Sequence, residues 1–436
     1  MASPIPTLSC ILRLLERCLP IEICWMIVSY LDRAVDAVRE GLLPVLQFSQ
    51  HRLTLNCAHA VWMEAARLGK LPFVIFLHEQ TVPGCDEQVM DVAAEHGHLP
   101  LVAWLNRHRR EGCSARAMDG AARQGHFHVV QWLHDNRSEG CSTEAMDEAA
   151  GRGNLPLVQW LHLHRREGCS SNAMDMAASQ GHLHVVQWLH VNREEGCTSH
   201  AMDWAASHGH LPTVQWLHAN RREGCSCEAI DGGATNGHLE TIQWLYVHGQ
   251  KQCSERSLYD AARYNHLSTL QWLWQHYDYS PLSVAYAMEM AALGGHLPVL
   301  AWLHALQPSS LATRAMEYAA GQGHLQVIAW LQQHRPGDVS LRAMDLAASG
   351  GHLQVMKWLA LYRSEGCSSD ALQSATRNGY LAVVQWLCEY QHGKENENDD
   401  CLSTAITMAR KYGHWEILNY LEEEERRRTE GEASKA

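Results

Sequence analysis

The chain has 436 residues, 46% of them hydrophobic and 19% charged, with a formal net charge of −13 and 15 cysteines. That acidic balance argues against nucleic acid or an anionic membrane as the main partner, since both attract a basic surface. No run of about 18 apolar residues occurs, so no membrane span is expected. The opening apolar stretch is interrupted by Arg13, Glu16 and Arg17 and is followed by no small-residue cleavage site, so it does not read as a signal peptide. An odd number of cysteines beside it points to free thiols in a reducing compartment, and hence to a cytoplasmic or nuclear location.

In chain order, the first patterned segment is LPIEICWMIVSYLD, Leu19 to Asp32. Ile23, Ile27 and Leu31 fall at i, i+4 and i+8 and form one apolar stripe of a helix. The segment resembles the opening helix of the F-box, L-P-x-E-I-x-x-x-I-x-x-Y-L. That resemblance implies that Leu19, Pro20, Ile23, Ile27 and Leu31 contact a Skp-type adaptor of a cullin ubiquitin ligase. Only the first of the three F-box helices matches, because the residues that follow already read as a degenerate repeat. The other reading of residues 1–32 is an amphipathic cap, which any stacked array needs at its end.

From residue 33 to residue 421 one unit recurs. Tryptophan stands at Trp104, Trp132, Trp160, Trp188, Trp216, Trp244 and Trp272, always 28 apart, and after a two-residue insertion at Trp302, Trp330, Trp358 and Trp386. Phe48, Phe76 and Tyr420 hold the same slot, which gives about 14 units. Each reads as a helix pair. In AMDMAASQGHLHVVQWLHVNREEGCTS, from Ala173, Ser170 or Ser171 suits an N-cap. Gly181 suits a left-handed helix end. A second helix starts near His182, with Leu183, Val185, Val186, Trp188 and Leu189 on its inner face and Gly196 at its end. One such unit cannot bury its own apolar face, so it must stack.

The pattern A-M-D-x-A-A-x-x-G-H-L-x-V-V-Q-W-L resembles the ankyrin repeat, with a period of 28 rather than the usual 33. The missing residues fall where ankyrin repeats build a β-turn finger. The expected fold is therefore all-α: a right-handed-type α-solenoid of stacked helix-turn-helix, ankyrin-like repeats with reduced or absent β-hairpin fingers. The resemblance also implies that the histidine after glycine (His98, His126, His182 and their equivalents) bonds to backbone across the repeat interface.

Cysteine and histidine columns could suggest metal or redox chemistry. Cysteine fills one slot in eight successive units, Cys57 to Cys253. Stacked helices lie about 8–10 Å apart, too far for neighbouring thiols to share a zinc ion or form a disulfide. Leu311 and Val339 occupy the same slot later, which marks it as a buried hydrophobe. A second histidine column (His78, His134, His162, His190, His218, His304) falls near the end of the second helix, where a cation is favoured. The recurrent carboxylates Asp91, Asp119, Asp147, Asp175, Asp203, Asp231, Glu289, Glu317 and Asp345 suggest support of the first helix or a bond to the next unit. No phosphate loop, nucleophile elbow or zincin helix is present. The expectation is a non-enzyme with no metal and no cofactor, and elemental analysis would reveal the metal-binding or redox alternative.

In a repeat array the framework slots recur and the recognition slots vary. The variable slots are the residue after A-M-D and the pair before Gly-His. From them come the candidate protein-binding residues Arg123, Gln124, Arg152, Gln180, Trp204, His208, Asn236, Arg263, Tyr264 and Tyr318, with Arg, Trp and Tyr favoured as interface anchors. Met176, Trp204 and Met290 could instead fill space against a neighbouring unit. The function expected is a monomeric scaffold that binds a partner protein on the concave face of the solenoid, or, in a sharper form, a substrate-recruiting subunit of a ubiquitin ligase. Residues 422–436, beginning EEEERRR, read as a charged, disordered tail.

Overall fold

The computed structural model describes residues 34–39, 41, 55–308, 312–335, 342–363, 366–391 and 399–433. The segment Leu19–Leu31 lies outside them. The chain divides into two compact units, Met1–Ala205 with Pro212–Gly224, and Ala206–Leu211 with Cys225–Ala436. Each is an all-helical solenoid of stacked helix pairs, and no strand occurs among the described residues.

The pair Ala115–Gln124 and Phe127–Asn136 shows how the sequence makes the unit. Ser114 caps the first helix, its Oγ accepting the Arg116 N–H at 3.2 Å. Gly125, at φ 77°, ends the helix in the left-handed region, and the next N–H, that of His126, returns to the Ala121 carbonyl at 2.8 Å. The two helices then meet through Ala117, Met118, Ala121 and Ala122 on one side and Val129, Val130 and Leu133 on the other, all buried. Burying side chains of valine or leucine size stabilises by about 1.5–3 kcal/mol each. The alanine pair has no bulk beyond Cβ, which lets the first helices approach closely.

First helices stack in sequence within each unit. In the first unit Leu55–Arg67, Glu87–Glu95, Ala115–Gln124, Glu144–Gly151 and Asn172–Ser179 follow one another. In the second, the row runs Glu228–Thr235, Arg256–Arg263, Pro281–Gly294, Ala315–Gly321, Arg342–Ser349, Ser369–Arg377 and Asp399–Tyr412. The two-residue insertion before Trp302 is taken up by helix Pro281–Gly294, 14 residues long. Ser280 caps it and Pro281 stands in its first turn, where a proline lacks no useful N–H.

Three details of the expectation change. Leu183–Asn192 ends before Gly196, which lies in the following loop at φ 74°. Ser170, not Ser171, makes the capping bond, accepting the Asn172 N–H at 3.1 Å. Residues 422–433 of the segment read as a disordered tail continue helix Trp415–Ala433, where Glu423 pairs with Arg427 at 2.6 Å four residues on. Such i,i+4 pairs favour a helix that composition alone reads as solvated coil.

Candidate protein interface

The framework columns are joints between successive repeats. Asp147 of one first helix accepts both the backbone N–H (2.8 Å) and the hydroxyl (2.6 Å) of Ser170, the cap of the next. The same pair of bonds joins Asp91 to Ser114, Asp119 to Ser142, Asp175 to Thr198, Asp231 to Ser254 and Asp345 to Ser368. Burial pushes the carboxyls of Asp91, Asp119, Asp147 and Asp231 up, against the opposing pull of those bonds. The carboxylate thus orients the hydroxyl whose lone pair caps the helix, so one aspartate serves two repeats.

Histidines after glycine form a second joint. His98 Nε2 lies 3.0 Å from the Arg67 carbonyl, His324 3.1 Å from that of Leu293 and His352 3.1 Å from that of Gly321, each in the preceding repeat. The other column of histidines near the second-helix ends does more than answer the helix dipole. His134 meets Trp160 edge-on at 5.2 Å, and His162 and His190 meet Trp188 and Trp216 in the same way. Their Nδ1 atoms face an arginine of the next loop, as in Arg193 Nη1 to His162 at 3.4 Å. The arginine can only donate, so the imidazole accepts.

That arginine belongs to a motif the sequence reading passed over, Arg-x-Glu-Gly-Cys, found at Arg109, Arg137, Arg165, Arg193, Arg221 and Arg363. Arg137 shows the geometry. Its Nε donates to Glu139 at 3.1 Å, its Nη2 also bonds Glu139, and its Nη1 reaches Asn106 of the previous repeat at 3.0 Å. The Arg137 bond holds the Glu139 carboxyl below its usual range. A Cβ on Gly112 would stand 2.5 Å from Arg137 Nη2, so glycine is the residue the guanidinium can cover. The cysteine of the motif ends up beneath the next arginine. Burial pushes the Cys113 and Cys169 thiols up to about 11 and that of Cys141 to about 12, which makes them poor thiolates. Among the described residues no three His, Cys, Asp or Glu side chains are grouped to hold a metal ion.

The variable side chains lie on the first-helix face. In the first unit Arg123 stands 3.4 Å from both Glu144 and Glu148 and 3.9 Å from Glu95, and it lines a shallow depression with Gln88, Val92, Arg116 and Gly120. Beside it the Arg152 guanidinium donates to Gln124 at 3.1 Å. Gln180 is exposed, and Trp204 is 36% exposed and stacked on His200 at 4.9 Å. In the second unit the Arg263 guanidinium lies 5.4 Å over the exposed Tyr264 ring, and His208 stacks on His210. Half-buried Tyr318 lines a separate depression with Arg314, Arg342 and Leu346. A profile of the family described as ankyrin repeats (many copies) matches residues 115–162, 146–190 and 202–245.

Residues 115–245 are ankyrin repeats. No curated protein matches the sequence. The solved structures that the chain matches include the pentatricopeptide repeat protein PPR10 in complex with an 18-nt psaJ RNA element, and a cysteine-to-serine variant of it with the same RNA. Each is 12% identical with a TM-score of 0.42, over 90% of this chain and 68% of that one. No catalytic family is evident, and no helix of the described residues is long and apolar enough to cross a membrane.

The candidate residues separate by their surroundings. Arg123, Gln124 and Arg152 are neighbours, as are Arg263 and Tyr264. Asn236 is exposed, yet its amide donates to the Ser207 carbonyl one repeat back at 2.8 Å, a staple that Asn378 repeats on Ser349. Of the three residues that could fill space, Met290 is 7% exposed and Met176 packs over Gly151, so both belong to the stack, while Trp204 is the most exposed of the three.

Proposed function

We propose that this chain is a non-enzymatic scaffold whose first-helix face binds a partner protein. The observation that carries the reading is a division of labour. The recurring Asp, His, Ala and Arg positions are consumed in joints between repeats, while exposed Arg, Trp and Tyr side chains vary from repeat to repeat on the first-helix face of each unit. Arg and aromatic residues dominate the energetics of protein interfaces. Affinity capture followed by mass spectrometry tests it: a partner retained by the native chain should be lost by the Trp204/Tyr264/Tyr318→Ala triple variant. Equal retention would move the interface elsewhere.

The motif LPIEICWMIVSYLD supports a second, more specific reading, in which the scaffold recruits substrates to a cullin ubiquitin ligase. Co-purification with a Skp-type adaptor should then occur for the full chain and vanish without residues 1–32. Its absence from the full chain would leave the segment as a cap.

A further inference from the structure

The second-helix face carries a column that the joints do not use. Gln131, Gln159, Gln187 and Gln215 occupy the slot before tryptophan in four successive repeats of the first unit, 28 residues apart. Their amides make no hydrogen bond to the described residues, and three of the four are exposed, with Gln159 half-buried. Four residues further along each helix, and so on the same stripe, stand Asp135, Leu163, Val191 and Ala219. Leu163 is 76% and Val191 79% exposed. The half-buried Trp132, Trp160, Trp188 and Trp216 follow the glutamines in sequence, and the last three are held edge-on by His134, His162 and His190. The face therefore offers a free amide once per repeat and, in three of the four repeats, a fixed indole and an aliphatic contact.

We propose that this face binds a proline-rich segment of another protein in the polyproline II conformation, one turn per repeat. Stacked helices lie about 8–10 Å apart, and a polyproline II helix advances about 9.3 Å per three-residue turn, so every third residue comes level with the next glutamine. An amide presents one donor group and one acceptor, and the polyproline II backbone, having no internal hydrogen bonds, keeps its carbonyls free to accept. A bound α-helix would satisfy its own backbone and leave the glutamines without partners. A β-strand turns alternate side chains to opposite sides, so a three-residue step would point every second contact away. The stripe's amide and aliphatic slots carry one charge in the four repeats, Asp135, which suits a largely uncharged segment. The rings are fixed before binding, which reduces the ordering cost. This surface is separate from the first-helix face, and either can fail without the other.

The test titrates the full chain with a peptide of about 12 residues of repeating Pro-Pro-Leu, long enough to span four repeats, reading intrinsic tryptophan fluorescence. A Gly-Ser peptide of equal length, which lacks the preformed helix, is the control. Saturable binding is expected for the first peptide only. The Gln159/Gln187→Ala variant should bind about tenfold more weakly at an unchanged thermal midpoint. Arg123→Ala and Tyr264→Ala should bind as the native chain does. No saturation by the proline peptide, equal binding of the Gly-Ser peptide, or native affinity in the double glutamine variant would each overturn the proposal.

Discussion

At Gly97 and Gly153 two demands meet on one atom. Their φ values of 77° and 72° lie in the left-handed region, where an L-residue costs about 1–2 kcal/mol. A Cβ there would also stand 2.6 Å from the imidazole of His126 or His182 in the next repeat. Gly125 has the same backbone, φ 77°, but Asn154 replaces the histidine and the nearest atom to a Cβ is 3.7 Å away. Gly125→Ala should therefore lose only the conformational part, about 1 kcal/mol, whereas Gly97→Ala and Gly153→Ala should lose about 1–3 kcal/mol more through forced repacking of the ring. Urea midpoints of the three variants check this, and equal losses would refute the crowding argument. The sequence alone showed Gly181 and its equivalents as helix ends, because a left-handed end is a local property. It could not show that the histidine which follows each glycine lies over the glycine of the repeat before. That contact joins residues 29 apart and depends on how the repeats stack.

The loop between repeats is the element in which most was missed. Arg-x-Glu-Gly-Cys is plainly periodic, yet in sequence only its glycine reads as a helix end and its cysteine as a buried thiol, and its arginine and glutamate carry no visible role. The arginine matters because its guanidinium reaches three places at once: Glu139 two residues on, Asn106 in the previous repeat, and Gly112, which it covers. A planar fork can serve several acceptors in fixed directions, which a lysine ammonium cannot. Arg137→Lys should cost about 1–2 kcal/mol of stability, even after allowance for its partial exposure, although charge is conserved. Chemical denaturation measures it, and a native midpoint would mean the arginine contributes charge alone. The same geometry explains why shortening the period to 28 removes the strands without leaving the joint unbonded. Main-chain and side-chain bonds from a few loop residues take over the link between neighbouring first helices. The expected loss of the fingers follows from counting residues, whereas the bonds that replace them follow only from three-dimensional neighbours.

Over the whole molecule the period is the legible part, and the division into two units is not. Trp188, Trp216 and Trp244 keep the 28-residue step straight through the boundary. Nearest-neighbour stacking makes stability a sum over joints, so a small change repeated at many joints becomes large. Histidine supplies such a change. Burial first, then neighbouring histidines, lowers the ring pKa of His126 (with His128, His98 and His96 around it) and of His238 (with His208, His210 and His266). Burial also lowers those of His296 and His304. A histidine whose folded pKa lies below its unfolded value of 6.5 binds protons more readily when unfolded. Its contribution is complete above about pH 6.5 and is lost as pH falls through the folded value. The carboxylates act lower. Asp91, Asp119, Asp147 and Asp231 are raised from 3.8 and would oppose the loss, while Glu64, held near 2 chiefly by Arg67, adds to it below 4.5. Between about pH 7.5 and 5.5 the histidines should dominate, and the thermal midpoint should fall. His238→Asn, placing there the residue that Asn154 already shows the slot accepts, should reduce the slope of midpoint against pH. A flat native profile in that window, or an unchanged slope in the variant, would show that these rings are already equally protonated in the folded and unfolded chains.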